Sequence, residues 1–303
     1  MSFNTAKFKI LKYGKREDLK QLQMFTEGFD EIIEETEEAK SLGILFNTTA
    51  TFETHVAYIA NRMRYTSNMI LRCFQTREAE TLRTVWMSLV GSIQDYGLIL
   101  FLPANSVTAC NKLNQPLKAF SRKIQGMKDL EFPERLRKLE LMSTGRRAEY
   151  LKICNIHREI LQSVRETRYS DRRGLEAIIP QLSGSVVRFR NLQDNSYSCE
   201  APRLFNTIPM YLRETICPIL FKKGLKCLFM SIPDNPANGA NNSIKNYMKE
   251  IPLWWQIPDH ICTDLYKHRE RAWNRHLEKQ AGPLYNQNRK FPVPNVILGA
   301  EHK

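Results

Sequence analysis

No pair of adjacent aspartates occurs anywhere in the 303 residues. The chain therefore lacks, in its own sequence, the closely set carboxylates that hold two divalent ions around a reacting phosphate. The nearest approach, "YSDR" at Tyr169 to Arg172, sets one carboxylate beside an arginine and reads as a solvated loop. A glycine-rich phosphate loop, a nucleophile elbow and a Cys/His dyad are likewise missing. Cys154 with His157, and His260 with Cys262, each lack a second pair at finger-like spacing. His260, His268 and His276 recur at a spacing that drifts around a helix and makes no shared ligand face. We expect no catalytic residue, no metal site and no cofactor in this chain. The opening "MSFNTAKFKILKYGK" has no apolar signal core, and the seven cysteines are odd in number and scattered. Both features predict free thiols in an intracellular compartment, nucleus or cytoplasm. The longest apolar run, "VWMSLVGSIQDYGLILFLP" from Val85 to Pro103, has Gln94 and Asp95 at its middle. That reads as a buried core helix, with no membrane partner.

What is present is a globular composition, 42% apolar and 10% aromatic, with a strong basic excess of +13. The excess is uneven: residues 1 to 42 carry a net charge of −2 and the remainder +15. An acidic partner, nucleic acid first, fits that field. In "FNTAKFKILKYGK", Phe8, Ile10 and Tyr13 alternate with Lys7, Lys9 and Lys12, a half-buried strand closing at Gly14. "LQMFT" reads as a second strand, "FDEIIEETEEAK" as strand or short helix, and "SLGILFN" as an apolar run between turn residues.

From Thr51 the period becomes helical. Phe52, Val56, Ile59, Met63, Ile70 and Phe74 share one face. A second helix from about Glu78 to Leu102 would turn Leu82, Val85, Trp86, Leu89, Ile93 and Leu100 inward. A third carries Val107, Cys110, Leu113, Leu117, Phe120 and Ile124. Pro133 suits the first turn of a short helix with Leu136 and Leu139, and Ser143 or Thr144 caps a longer one reaching Val164. Beyond a polar loop at residues 165–176, short β-like runs are expected up to Asn206, then helices at "TIPMYLRE" and from Ile219 to Met230. "IPDNPANGANNS" marks a linker near residues 233–243, and a basic helix around "DLYKHRERAWNRHLEKQ" precedes a proline-punctuated tail. The predicted class is mainly α with a small β-rich N-terminal unit.

Basic residues on these helices are candidates for neutralising phosphates: Arg62, Arg64, Arg72, Arg77, Lys118, Arg122, Lys123, Arg146 and Arg147 foremost, with Arg83, Arg135, Arg137 and Lys138. An ordinary solvated face is the alternative for any one of them.

The order of "FNTAKFKILKYGK", "SLGILFNTTATFETHV", "ILRCFQTREAETLRTVWMSLVGSIQDY", "FPERLRKLELMSTGRR", "SCEAPRLFNTIPMYLR" and "SIPDNP" resembles the C-terminal part of the reverse transcriptase of animal non-LTR retrotransposons, the endonuclease-reverse transcriptases of long interspersed elements. The likeness runs from about Phe3 to Pro236. It implies partial palm and primer-grip strands over 1–50, in which Leu42, Gly43, Ile44, Leu45 and Phe46 are similar to the primer-grip hairpin. It implies a basic thumb-like helical bundle over 51–165, with Arg62, Arg64, Arg72 and Arg77 among its backbone contacts. Residues 166–236 are then a mixed β/α region, and 237–303 a linker and basic helical tail without assignment. The implied partners are RNA, DNA or an RNA–DNA duplex, together with the missing polymerase portion or a larger assembly. The family's fingers and aspartate-bearing motifs would precede Met1, and the full family enzyme would use Mg2+. "QDYGLILFLP" departs from the family at Gly97 and Phe101. This chain is therefore expected to be a truncated or retained fragment that does not polymerise alone. The alternatives are an RNA or RNA–DNA binding module and a basic structural subunit.

Overall fold

Helical hydrophobic spacing from Thr51 onward produces a bundle, and a computed structural model describes it over residues 8–13, 23–26, 29–102, 106–167, 197–213, 215 and 217–248. Helix α1, Glu53–Cys73, buries Val56, Ile59, Ala60, Met63 and Ile70, the three- and four-residue steps of one face. It packs along α5, Val107–Ser121, which buries Leu113, Leu117 and Phe120. Between them the chain returns through α2 (Ala79–Val85), a π-helical turn (Trp86–Gly91), α3 (Ser92–Asp95) and α4 (Leu98–Phe101).

This returning arm differs from the single regular helix expected. The π turn widens the repeat, so the buried positions step by four: Leu82, Trp86, Val90, Gln94 and Leu98. Leu89 and Leu100, assigned inward on an unbroken 3.6-residue period, are 45% and 54% exposed. Gln94 is buried, and its side-chain amide donates to Thr144 Oγ1 at 3.0 Å.

The N-terminal strands form three separate two-stranded ladders. Strand β1 (Lys9–Ile10) pairs in parallel with β4 (Glu34–Glu35), β2 (Gln23–Thr26) pairs antiparallel with β3 (Phe29–Ile32), and β5 (Glu38–Ser41) pairs antiparallel with β6 (Ile44–Asn47). The opening strand thus has a partner, through two paired residues. Lys9 is exposed and Ile10 partly buried, as the alternation implies, while Phe8 and Tyr13 are 42% and 52% exposed. The β5–β6 hairpin is held much better. Its tip residues Leu42 and Gly43 both have positive φ, 48° and 84°, as a tight two-residue connection of the I′ type requires. Tyr96 Oη donates to Leu42 O at 2.6 Å, and a Cβ at Gly97 (φ 72°) would stand 2.8 Å from Ile44 Cδ1. The Tyr96–Gly97 turn is therefore shaped to the hairpin, and Ile44 is buried against it.

Helix α6 (Phe132–Lys138) opens on a capping box between Glu131 and Glu134, with Pro133 in its first turn. Helix α7, Thr144–Thr167, joins two cores: Ala148 belongs to the bundle, while Tyr150, Ile153 and Ile156 face α8 (Tyr197–Thr207), α9 (Met210–Arg213) and α10 (Pro218–Ser231). Tyr197–Thr207 corrects the β-like reading, because Ala201, Leu204, Phe205 and Ile208 are buried at helical spacing. The linker expected at residues 233–243 is also corrected. Its segment Pro236–Asn242 is a 3-10 turn packed on α5 and α7, followed by α11, Ile244–Met248. The loop expected at 165–176 yields to helix as far as Thr167. The β-like runs before Tyr197 and the basic helix after residue 248 lie outside the described residues.

Two buried histidines lock these parts together in their neutral form. Leu45 N–H donates to His55 Nδ1 at 3.3 Å, and His157 Nε2 donates to Thr215 O at 2.7 Å while its ring stacks on Phe221. Burial, then Lys40, lowers the pKa of His55; burial lowers that of His157, with Lys222 adding and the Thr215 bond opposing. Each holds fewer protons folded than unfolded, so its stabilisation is complete above the ordinary value of 6.5 and is lost as the pH falls below it. Glu149 acts with the opposite sign, since burial raises its pKa from 4.5 and folding takes up its proton. Through the two histidines stability is therefore expected to fall as the pH drops below 6.5, and the double substitution His55→Asn/His157→Gln, which keeps both hydrogen bonds, should flatten that fall. Urea unfolding across this range checks it; an unchanged slope in the double variant would refute the assignment.

Candidate nucleic-acid interface

The outer face of α1 is where the charge excess reaches solvent. Tyr58, Arg62, Tyr65, Met69 and Arg72 follow one another at steps of four, three, four and three, so they lie in one stripe about 21 Å long. Arg62 and Arg72 are exposed, Tyr65 is 75% exposed, and Met69 is 44% exposed. Arg64 flanks the stripe and donates to Asn61 Oδ1 at 3.0 Å. At the hairpin end, Lys40 Nζ and the Arg62 guanidinium both lie over the Tyr58 ring, 5.3 and 5.9 Å from its centre. The hairpin thus adds a cation to the stripe.

A second group closes the other end of the bundle. Gln125 N–H donates to Arg77 O at 2.9 Å, tying the chain after α5 to the chain after α1. Arg72, in the last turn of α1, Lys118, in the last turn of α5, and Arg122 and Lys123 just beyond it therefore share that end. Lys118, Arg122 and Lys123 are exposed. Among the described residues, none of Arg62, Arg64, Arg72, Lys118, Arg122 and Lys123 has an acidic partner.

Three of the nine basic candidates are corrected by their surroundings. Arg77 turns its guanidinium onto Leu71 O (2.7 Å), Thr76 O (3.1 Å) and Phe74 O, closing the C-terminal carbonyls of α1. Arg146 is 1% exposed; it donates to Pro233 O (3.0 Å) and Asn242 O (2.8 Å) and sits against the Phe229 and Tyr247 rings. Arg147 pairs bidentately with Asp95, at 3.0 and 2.5 Å. Of the other basic residues, Arg83 pairs with Glu140 at 2.7 Å and Arg135 is buried against Phe132, while Arg137 and Lys138 are exposed.

The hairpin residues Leu42, Gly43, Ile44, Leu45 and Phe46 form the turn and second strand beside the N-terminal end of α1. Leu42 is 87% exposed at the tip, and Phe46 meets Phe52 edge-on at 5.7 Å. Sequence reasoning missed Tyr58 and Tyr65, although their spacing with Arg62 and Arg72 was readable, and Lys40, which reaches Tyr58 only through the hairpin's packing on α1.

Burial pushes the Cys110 and Cys154 thiols up to about 11, so both are protonated at neutral pH. Cys73, Cys110, Cys154, Cys217 and Cys227 are free. Among the described residues no group of three or more His, Cys, Asp or Glu converges as metal ligands would, and no helix is long and apolar enough to cross a membrane. A cleft of about 80 Å³ between α5, α7 and the 233–243 segment is lined by Arg146, Glu149 and the paired Lys152 and Glu200. Compared with protein-family models, curated proteins and solved structures, the chain matches none.

Proposed function

We propose that the chain is a thumb-like, nucleic-acid-holding module of the retroelement reverse-transcriptase type, which grips RNA, DNA or an RNA–DNA duplex by its phosphates and does not polymerise by itself. The observation that carries this reading is the division of the cations. Arg77, Arg146 and Arg147 are consumed by the fold, whereas Arg62, Arg64, Arg72, Lys118, Arg122 and Lys123 stand in solvent without acidic partners among the described residues. Unpaired surface cations of this kind bind phosphate by releasing counterions, which gives affinity without reading sequence. The order hairpin, first helix, returning arm and third helix supports the likeness to a primer-grip hairpin leading into a thumb. Metal-binding carboxylates and their Mg2+ would come from a separate polymerase portion, since this sequence carries no aspartate pair.

Fluorescence anisotropy with a labelled RNA–DNA duplex over a salt series tests the reading. Binding should weaken as salt rises, and Arg62→Ala/Arg64→Ala/Arg72→Ala should lower the slope of log K against log salt by about 2–3, one contact per residue. These exposed substitutions should leave stability within about 0.5 kcal/mol. Absence of binding at low salt to both duplex and single strand would sink the reading, and primer extension by the purified chain would contradict its inactive half.

A further inference from the structure

We infer that the α1 stripe receives unpaired bases, with Tyr65 as the stacking platform, so that the module prefers single-stranded nucleic acid or a duplex with an overhang over a blunt duplex. This rests on the nucleic-acid reading above and sharpens its substrate class. Tyr65 is 75% exposed, and among the described residues its ring and hydroxyl make no hydrogen bond or ring contact. It plays no part in either core. Its neighbours in the stripe are Arg62 before it and Met69 and Arg72 after it, with Asn61 and Asn68 one turn to either side.

Phosphate neutralisation alone would require only the arginines. An aromatic face and a thioether between them add what a base needs: a flat π surface and a polarisable contact, bracketed by cations along the same helix face. In a duplex the base faces are already stacked on one another, so Tyr65 finds a partner only where a strand is unpaired. Asn61 and Asn68 carry amide donors and acceptors suited to base edges, though Asn61 already accepts from Arg64.

The test uses the full chain with three labelled probes: an oligouridylate, a blunt RNA–DNA duplex, and that duplex carrying a single-stranded overhang. Tyr65→Ala is expected to weaken oligouridylate and overhang binding on the order of tenfold, to leave blunt-duplex binding unchanged, and to be rescued by Tyr65→Phe. Tyr65 is exposed, so none of these variants disturbs a core. The inference is overturned if Tyr65→Ala affects all probes alike or none, or if the parent binds the blunt duplex as tightly as the single strand. In those cases the phosphate-binding reading survives; failure of the parent to bind any probe would remove both.

Discussion

Glu200→Gln is expected to cost about 3–5 kcal/mol of folding stability, because it leaves the Lys152 ammonium buried without its counter-charge. The two side chains are in contact and only 4% and 7% exposed, and among the described residues the other cation near Glu200 is Lys245, at 3.9 Å. Coulomb attraction inside such a pair serves mostly to offset desolvation, so its absence is felt far more than its presence. The location amplifies the effect. Lys152 lies on α7 between Ala148, which faces the bundle core, and Ile153 and Ile156, which face the second core. Disturbing it loosens the helix that both cores share. Urea unfolding followed by circular dichroism measures the loss. The control is Lys152→Met/Glu200→Met, which removes both charges and should recover most of it; a single variant within about 1 kcal/mol of the parent, or a double variant worse than the single, would show that the charges are not the issue.

The bundle was legible where burial follows a regular period. Val56, Ile59, Met63 and Ile70 on α1, and Leu113, Leu117 and Phe120 on α5, are core residues as their spacing implies. The returning arm was not, because a π turn shifts the phase, and the Leu89 and Leu100 that a 3.6-residue template turns inward face outward. The candidate interface shows the same limit in charge. Exposure of Arg62 and Arg72 follows from opposing the apolar face of their own helix. The fates of Arg146 and Arg147 depend on partners far along the chain: Asp95 is 52 residues before Arg147, and Asn242 is 96 residues after Arg146. Nothing within a helical turn announces those contacts. Arg77 is the intermediate case, since a basic residue just beyond a helix end is a recognised way of satisfying its last carbonyls.

Asp234 holds the other place where composition misled, and Asp234→Ala is expected to cost about 2–4 kcal/mol and to free the 233–243 segment from the bundle. Proline, glycine and asparagine made this stretch read as a linker, yet Asp234 accepts from Ser143 N–H, Ser143 Oγ and Asn242 Nδ2, each at 2.7 Å. It thereby anchors the segment to the residue that caps α7, where Ser143 Oγ accepts from Arg146 N–H at 3.4 Å. Alanine would leave three donors without their acceptor, and hydrogen bonds to a charged group are the stronger kind. Asp234→Asn retains one acceptor oxygen and should recover part of the loss. Hydrogen exchange separates a local from a global effect: amides of Ala237, Asn238 and Ser243 should lose protection in Asp234→Ala before those of α1 and α5 do. If all of these amides lose protection together, the segment is no separable strap but part of the bundle's cooperative unit. If none changes, the carboxylate does not hold it. The same segment carries Pro233 O and Asn242 O, which receive the Arg146 guanidinium, so releasing it would also expose that buried cation. Asp234→Ala should then strengthen low-salt nucleic-acid binding slightly while weakening the fold, whereas the α1 substitutions weaken binding and spare the fold.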